Sequence, residues 1–283
     1  MYPSIRLLRP KQWIKNGFVF APLLFAGQFQ QPGAWQQALL AALCFLSISC
    51  VVYVINDIRD RIEDTHHPVK RNRPLAAGEL TVATAWMIAG SLALVALALL
   101  ANLPPACTNV AALYVGLNIL YTLQLKHVAI ADIFFIAFCY VLRVLMGAYA
   151  LAVAISPWII LSTFTLALFL GFGKRYHEIA ILAYVEHKPN LRQYSREFLD
   201  RLVIISGCSA LMSYAIYAAE LAAETGKVEL IYTVGFVAFG LFRYMQSIYV
   251  RGLGGEPETI ILTDRAQLVN LTLWLATTLW VLF

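Results

Sequence analysis

The sequence predicts an all-α, polytopic membrane protein of about nine transmembrane helices in one bundle. Three observations carry that expectation. First, 60% of the 283 residues are hydrophobic and 13% are charged, against roughly 45–50% and about 25% in ordinary soluble domains. Mean hydropathy is +0.71. A water-soluble globule of this composition would expose large apolar areas, so a soluble enzyme, a disordered chain and a disulfide scaffold are excluded. Second, the apolar residues fall into runs near the ~20 residues that a membrane helix needs. Third, the cations collect in alternate connections.

The apolar runs cover 17–31, 35–55, 80–101, 106–125, 128–152, 156–172, 203–223, 229–249 and 266–283. The first and sixth are short. None has the alternating ~10-residue pattern of a membrane β-barrel. Arg6, Arg9, Lys11 and Lys15 precede the first run. That run has no small-residue cleavage site leading into a polar segment, so it reads as a span and not as a signal peptide. The connections at 31–34, 102–105 and 154–157 are short and nearly uncharged. The N-terminus, 56–79, the turn at Lys126-His127, 173–202 and 250–265 are basic. Nine crossings put the two sets on opposite sides. Of 21 Lys and Arg, only Arg143, inside a span, and Lys227 fall outside the basic side and its border. The positive-inside rule places that side, with the N-terminus, in the cytoplasm of a plasma (inner) membrane. The five cysteines are odd in number, form no C-x-x-C pair, and read as small buried hydrophobes. With no strong repeat, residues 1–283 read as one integral-membrane domain. No nucleic-acid partner is expected, and a homo-oligomer is compatible with the sequence.

The polar residues gather on the basic side. Asn56-Asp57-Ile58-Arg59-Asp60-Arg61-Ile62-Glu63-Asp64 begins where the second span ends. A continuing helix places Asp57, Asp60 and Asp64 on one face. Stacked carboxylates need a cation to share, and hard oxygen ligands suit Mg²⁺, which binds through a few carboxylates plus substrate phosphates. A solvated acidic helix end paired with Arg59 and Arg61 is the bland alternative. Asp at the edge of an apolar span is costly and favours function. The run His66, His67, Pro68, Val69, Lys70, Arg71, Asn72, Arg73 follows, and its cations suit phosphate oxygens. Adjacent His66 and His67 lack the further ligands zinc requires. Tyr121, Lys126, His127 and Asp132 form a second cluster. Arg143, about three turns beyond Asp132, must find a partner inside the bundle, either Asp132 or a ligand phosphate. Lys174-Arg175-Tyr176-His177-Glu178, with Arg192, Tyr194, Arg196 and Arg201, is the third cluster. Glu256, Glu258, Asp264 and Arg265 close the list. No G-x-x-x-x-G-K-[ST] loop or strand-borne G-x-G-x-x-G is present. The site therefore suits a phosphorylated soluble substrate, Mg²⁺ and a lipid.

Asn56-Asp57-x-x-Asp60-x-x-x-Asp64 resembles the N-D-x-x-D-x-x-x-D motif of the UbiA superfamily of intramembrane prenyltransferases. The resemblance covers nearly the whole chain and implies that family's nine-helix fold with a cytoplasmic Asp-rich site. Arg9-Pro10-x-Gln12-Trp13-x-Lys15-Asn16, His67-Pro68-x-Lys70-Arg71-x-Arg73-Pro74, Leu125-Lys126-His127 with Asp132 and Arg143, Gly173-Lys174-Arg175-Tyr176-x-Glu178 and Arg192-Gln193-Tyr194 are similar to one branch. Its members move 5-phosphoribose from phosphoribosyl pyrophosphate (PRPP) to a polyprenyl phosphate such as decaprenyl phosphate, towards a lipid-linked arabinose donor. Where aromatic prenyltransferases carry a second D-x-x-x-D, this chain has Lys174-Arg175-Tyr176-His177-Glu178. Their Y-x-x-x-K becomes Tyr121 to Lys126, one residue longer. Extra cations suit two phosphate-bearing substrates.

The resemblance implies an Mg²⁺-dependent pentosyl transfer with release of pyrophosphate. Asp57, Asp60 and Asp64, with Asn56, are expected to hold the metal. Lys70, Arg71, Lys174 and Arg175 are expected on the 5-phosphate or the leaving group of PRPP, Lys15, Lys126 and Arg143 on the lipid phosphate, and Arg73 among the substrate-binding residues. Asn16, Tyr121, Asp132, Tyr176, Glu178 and Arg265 complete the substrate-binding set. The alternative activity is prenyl transfer from a prenyl diphosphate to a small aromatic acceptor. A non-catalytic transporter is disfavoured, since its polar site would lie near mid-membrane.

Overall fold

A computed structural model describes residues 2–66, 69–125, 128–180 and 189–282. Among the described residues there is no strand. The helices are α1 (Pro3–Leu7), α2 (Ala21–Phe25), α3 (Ala34–His66), α4 (Val82–Leu100), α5 (Pro105–Leu123), α6 (Ala131–Leu151), α7 (Pro157–Ile179), α8 (Arg196–Thr225), α9 (Thr233–Tyr249), α10 (Pro257–Thr263) and α11 (Arg265–Leu282). Short 3₁₀ stretches lie between several of them, and one long stretch covers Pro10–Phe20. The chain divides into two compact units, residues 1–126 with 142–153, and residues 127–141 with 154–283.

Seven described helical stretches are long and apolar enough to cross a membrane. They match the second to the eighth expected runs. The two outer runs behave differently. Run 17–31 forms no long α-helix. Pro10–Phe20 is 3₁₀, and only Ala21–Phe25 is α. At about 2.0 Å per 3₁₀ residue the two pieces still reach roughly 30 Å. Run 266–283 forms α11, 18 residues and about 27 Å long.

In the first unit, α3 is 33 residues long, about 50 Å. That exceeds the ~30 Å hydrocarbon core, so its last turns extend past the apolar stretch. Ala38, Ala41, Ala42 and Ser49 of α3, and Ala85, Ala89 and Ala96 of α4, are buried. Small side chains let membrane helices approach closely where apolar bulk brings no advantage over lipid. Leu7, Val54, Leu75, Ala85 and Ala89 make a core cluster that docks α1 onto this pair. Thr81 caps α4 by accepting from the Thr84 amide at 3.1 Å. Gly147 of α6 meets the 3₁₀ stretch, where a Cβ would lie 1.9 Å from the Val19 carbonyl oxygen.

In the second unit, Ser156 accepts from the Trp158 amide and Pro157 opens α7. Ser195 caps α8, which ends at Gly226 in the left-handed conformation, φ 71°. Gly173 and Gly207 allow α7 to pack tightly, against Tyr244 and Ile248 of α9 and within α7–α8 respectively. Four cysteines are buried as expected, but Cys208 of α8 is exposed.

Candidate functional site

The acidic segment 56–64 folds as part of the extended end of α3, so Asp57, Asp60 and Asp64 share a face. Asp57 and Asp64 are each only 2% exposed; Asp60 and Asn56 are half-buried. Carboxylates buried this deeply need cations beside them. Arg73 Nη1 lies 3.0 Å from Asp57 Oδ1 and 2.7 Å from Asp64 Oδ2. Arg9 Nη2 donates to the same Asp57 oxygen, and Lys70 Nζ is 3.5 Å from Asp64 Oδ1. Arg9 adopts φ 52° just before Pro10, and its guanidinium lies 5.1 Å over the Tyr53 ring. Arg6 pairs with Glu79 at 2.8 Å, which ties α1 to the segment that carries Lys70 and Arg73. Asn56 Oδ1 accepts from the Thr122 hydroxyl at 3.0 Å, and Arg59 donates to the Thr122 carbonyl at 2.9 Å. The acidic end of α3 is thus fixed to the end of α5.

This donor set suits a hard dication. Asp57 and Asp64 already share one cationic nitrogen, and Asp60 and Asn56 add oxygen donors from the same helix end. Among the described residues no three His, Cys, Asp or Glu side chains converge into a closed metal cage. Mg²⁺ does not require one, since it takes one or two carboxylates and completes its octahedron with phosphate oxygens and water.

Arg143, 3% exposed on α6, donates Nε to Asn16 Oδ1 at 3.1 Å and Nη2 to Ser49 Oγ at 3.5 Å. Its guanidinium lies 4.9 Å over the Phe45 ring and 5.5 Å over the Tyr114 ring. The sequence left Asp132 or a ligand phosphate as its partner. The structure supplies an amide, a hydroxyl and two aromatic faces, a combination that stabilises a desolvated guanidinium by about 2 kcal/mol or more per good ring contact. Asn16 is itself buried, so Arg143 anchors the 3₁₀ stretch on which half-buried Lys15 is the preceding residue. Tyr121 is half-buried on α5 and Arg71 is exposed in the short turn Lys70–Asn72. Lys126, His67 and Pro68 lie outside the described residues.

The second unit holds its own polar cluster. Residues 174–178 are helical, in the last turns of α7. Arg175 forks onto Asp132 Oδ2 through Nε at 3.2 Å and Nη2 at 2.7 Å, and Nη1 donates to Glu178. All three are buried. The sequence read Arg175 as a phosphate cation; in the structure its guanidinium is paired with two carboxylates, as its burial demands. The Tyr194 hydroxyl donates to Asp132 Oδ1 at 3.4 Å and accepts from the Ile130 amide. Burial, then the Asp132 carboxylate, pushes the Tyr194 phenol up to about 12. Arg196 donates to the Tyr176 hydroxyl at 2.8 Å and lies 5.0 Å over that ring. Lys174 is half-buried. Asp264 accepts from Arg243 at 2.9 Å and Arg251 at 2.8 Å and caps α11 through the Gln267 amide. The Arg243 hydrogen bonds hold its carboxyl down at about 2. Arg265, next along, is exposed.

Arg9 and Ser49 join these clusters without having been singled out, and Tyr194 and Arg196, named in the third cluster, were given no role. Arg9 and Tyr194 lie within the motifs quoted above, so a signal existed. Ser49 sits inside an apolar run and gave none.

An all-helical membrane protein with a buried Asp-rich helix end flanked by Arg and Lys is the class these features define. The description "UbiA prenyltransferase family" matches residues 18–256, and the chain belongs to that family. Decaprenyl-phosphate phosphoribosyltransferase of Mycobacterium tuberculosis is 29% identical, with 96% of this chain and 92% of that protein covered. The protein of the same name from Corynebacterium glutamicum is 32% identical over 95% of this chain and 83% of its own. Among solved structures, a UbiA homolog from Archaeoglobus fulgidus bound to DMAPP and Mg²⁺ superposes with a TM-score of 0.73 at 18% identity, covering 99% of this chain and 98% of that one.

Proposed function

We propose that this protein transfers 5-phosphoribose from PRPP to a polyprenyl phosphate of the decaprenyl class, at the cytoplasmic face of the plasma membrane. The observation that carries the reading is end-to-end similarity to relatives bearing the phosphoribosyltransferase name, with 92% of the Mycobacterium tuberculosis protein covered. The acidic and basic groups of the first unit supply chemistry that fits it.

In this reading a phosphate oxygen of the lipid attacks C1 of the ribose. The C1–O bond to pyrophosphate breaks, and the electron pair leaves with pyrophosphate. The nucleophile is already an anion, so no general base is needed. Catalysis is then positioning plus electrostatic stabilisation. Asp57, Asp60 and Asp64, with Asn56, would hold Mg²⁺, which would supply positive charge beside the pyrophosphate leaving group. Lys70, Arg71 and Arg73, on the segment that already touches Asp57 and Asp64, bind phosphate oxygens. Lys15 and Lys126 hold the lipid phosphate. Arg143 is a positioning residue that keeps the Lys15–Asn16 stretch in place. In the second unit, Lys174 and Tyr176 keep their substrate-binding assignment, and Asp132 and Glu178 fix Arg175.

Asp57→Asn removes the carboxylate charge and preserves shape. Label transfer from PRPP to lipid by the purified variant is expected to fall by more than the roughly 10–100-fold typical of disturbing a metal's outer shell, with the protein still folded but its midpoint lowered because Arg9 and Arg73 lose a charge partner. Turnover near wild type would overturn the assignment.

A further inference from the structure

In the second unit an apolar groove of about 670 Å³ runs along the seam between α9 and α11. Phe236, Phe239, Val269 and Leu273 line it, and Arg265 stands at its end. The seam is stitched from beneath. Gln267 donates to the Gly240 carbonyl at 3.3 Å, and Asn270 to the Phe236 carbonyl at 2.9 Å. Gly235 opens the space, since a Cβ there would meet nothing within 4 Å. Phe239, Val269 and Leu273 are exposed, and of the groove's lining only Arg265 was expected from the sequence to bind substrate, a role the proposed reaction does not use.

The charge at the end of the groove is informative. Arg265 has no hydrogen bond, ion pair or ring contact among the described residues. Its neighbour Asp264 does not neutralise it, because Arg243 and Arg251 hold that carboxylate. From Arg265 to Leu273 the groove follows α11 for about 12 Å, most of the ~15 Å depth of one leaflet. Arg265 begins α11, one short helix after Arg251, at the end of the span that the distribution of Lys and Arg predicts to be cytoplasmic.

We infer that this groove binds an anionic phospholipid of the surrounding bilayer, one acyl chain along the α9–α11 seam and the phosphodiester on Arg265. A single guanidinium matches the single charge of a phosphodiester. A lipid phosphate monoester, with up to two charges, would be left partly unpaired there. An anion with no hydrocarbon chain would leave the apolar lining uncovered.

Native mass spectrometry of the purified, delipidated full-length protein tests this, with phosphatidylglycerol and phosphatidylcholine of matched chains as probes. The wild type is expected to hold one phosphatidylglycerol about tenfold more tightly than phosphatidylcholine. Arg265→Gln is expected to bring the two to parity. Gly235→Leu, whose Cβ meets nothing within 4 Å, places its side chain in the groove and is expected to weaken both lipids. Equal binding of the two lipids by the wild type, an unchanged preference in Arg265→Gln, or unchanged binding in Gly235→Leu would overturn the inference. So would displacement of phosphatidylglycerol by equimolar polyprenyl phosphate, which would give the groove to the acceptor. None of these readouts depends on turnover, so failure here leaves the proposed reaction standing.

Discussion

Arg175 is buried between Asp132 and Glu178, and that placement makes it the most consequential single cation in the second unit. Arg175→Met would remove the guanidinium that two buried carboxylates share, a loss of about 3–5 kcal/mol. Thermal unfolding in detergent should show a large drop, and Arg175→Lys should recover part of it. An unchanged midpoint would contradict the pairing. Tyr194→Phe is expected to cost less, about 1–3 kcal/mol, because it removes the hydroxyl that accepts from the Ile130 amide and donates to Asp132. At this scale the acidic face of α3 was legible, because the spacing of Asp57, Asp60 and Asp64 is local and helical. The cations that balance it were only half legible. Arg73 stood in a basic run, but its bridge between Asp57 and Asp64 requires the segment after α3 to fold back on it. Arg143 was recognisable as a buried cation that must have partners. That they are Asn16, Ser49, Phe45 and Tyr114 depends on three segments far apart in sequence.

Among the elements, α6 and the 3₁₀ stretch before α2 meet at Gly147. A methyl there would overlap the backbone carbonyl of Val19, which has no room to yield. Gly147→Ala should therefore cost about 1–3 kcal/mol and displace Lys15 and Asn16, with activity falling as well. At Gly173 a Cβ would lie 2.6 Å from Ile248 Cδ1 and 3.0 Å from the Tyr244 ring, side chains rather than backbone, so Gly173→Ala should cost less than Gly147→Ala. Midpoints in the reverse order would refute the packing described. The Asp264 cap of α11 carries a pH signature. Its carboxyl lies at about 2, below the unfolded value of about 3.9. Its contribution is full above about pH 4 and is lost as the pH falls through about 2. Asp264→Asn should lower the midpoint at pH 7 and match the wild type by about pH 2. The apolar runs announced α3 to α9 because their length and hydropathy are set within each segment. They did not announce the 3₁₀ geometry of Pro10–Phe20, which arises where Gly147 lets another helix touch its backbone.

For the molecule as a whole, composition alone required a membrane, and the all-helical family fold follows from it together with the Asp-rich motif. Charge sidedness predicts an orientation, with the acidic end of α3 and the basic loops in the cytoplasm. Cysteine labelling of intact cells at Glu79→Cys should then be blocked, and labelling at Asn102→Cys should succeed; the opposite pattern would invert the topology. The central claim is the donor and acceptor pair, and a single assay addresses it. Purified protein with Mg²⁺ is offered labelled PRPP plus decaprenyl phosphate, and separately a labelled prenyl diphosphate plus 4-hydroxybenzoate. The account predicts label in the lipid extract of the first reaction only, abolished by EDTA. Product in the second reaction alone would contradict it and make the protein a prenyltransferase for an aromatic acceptor.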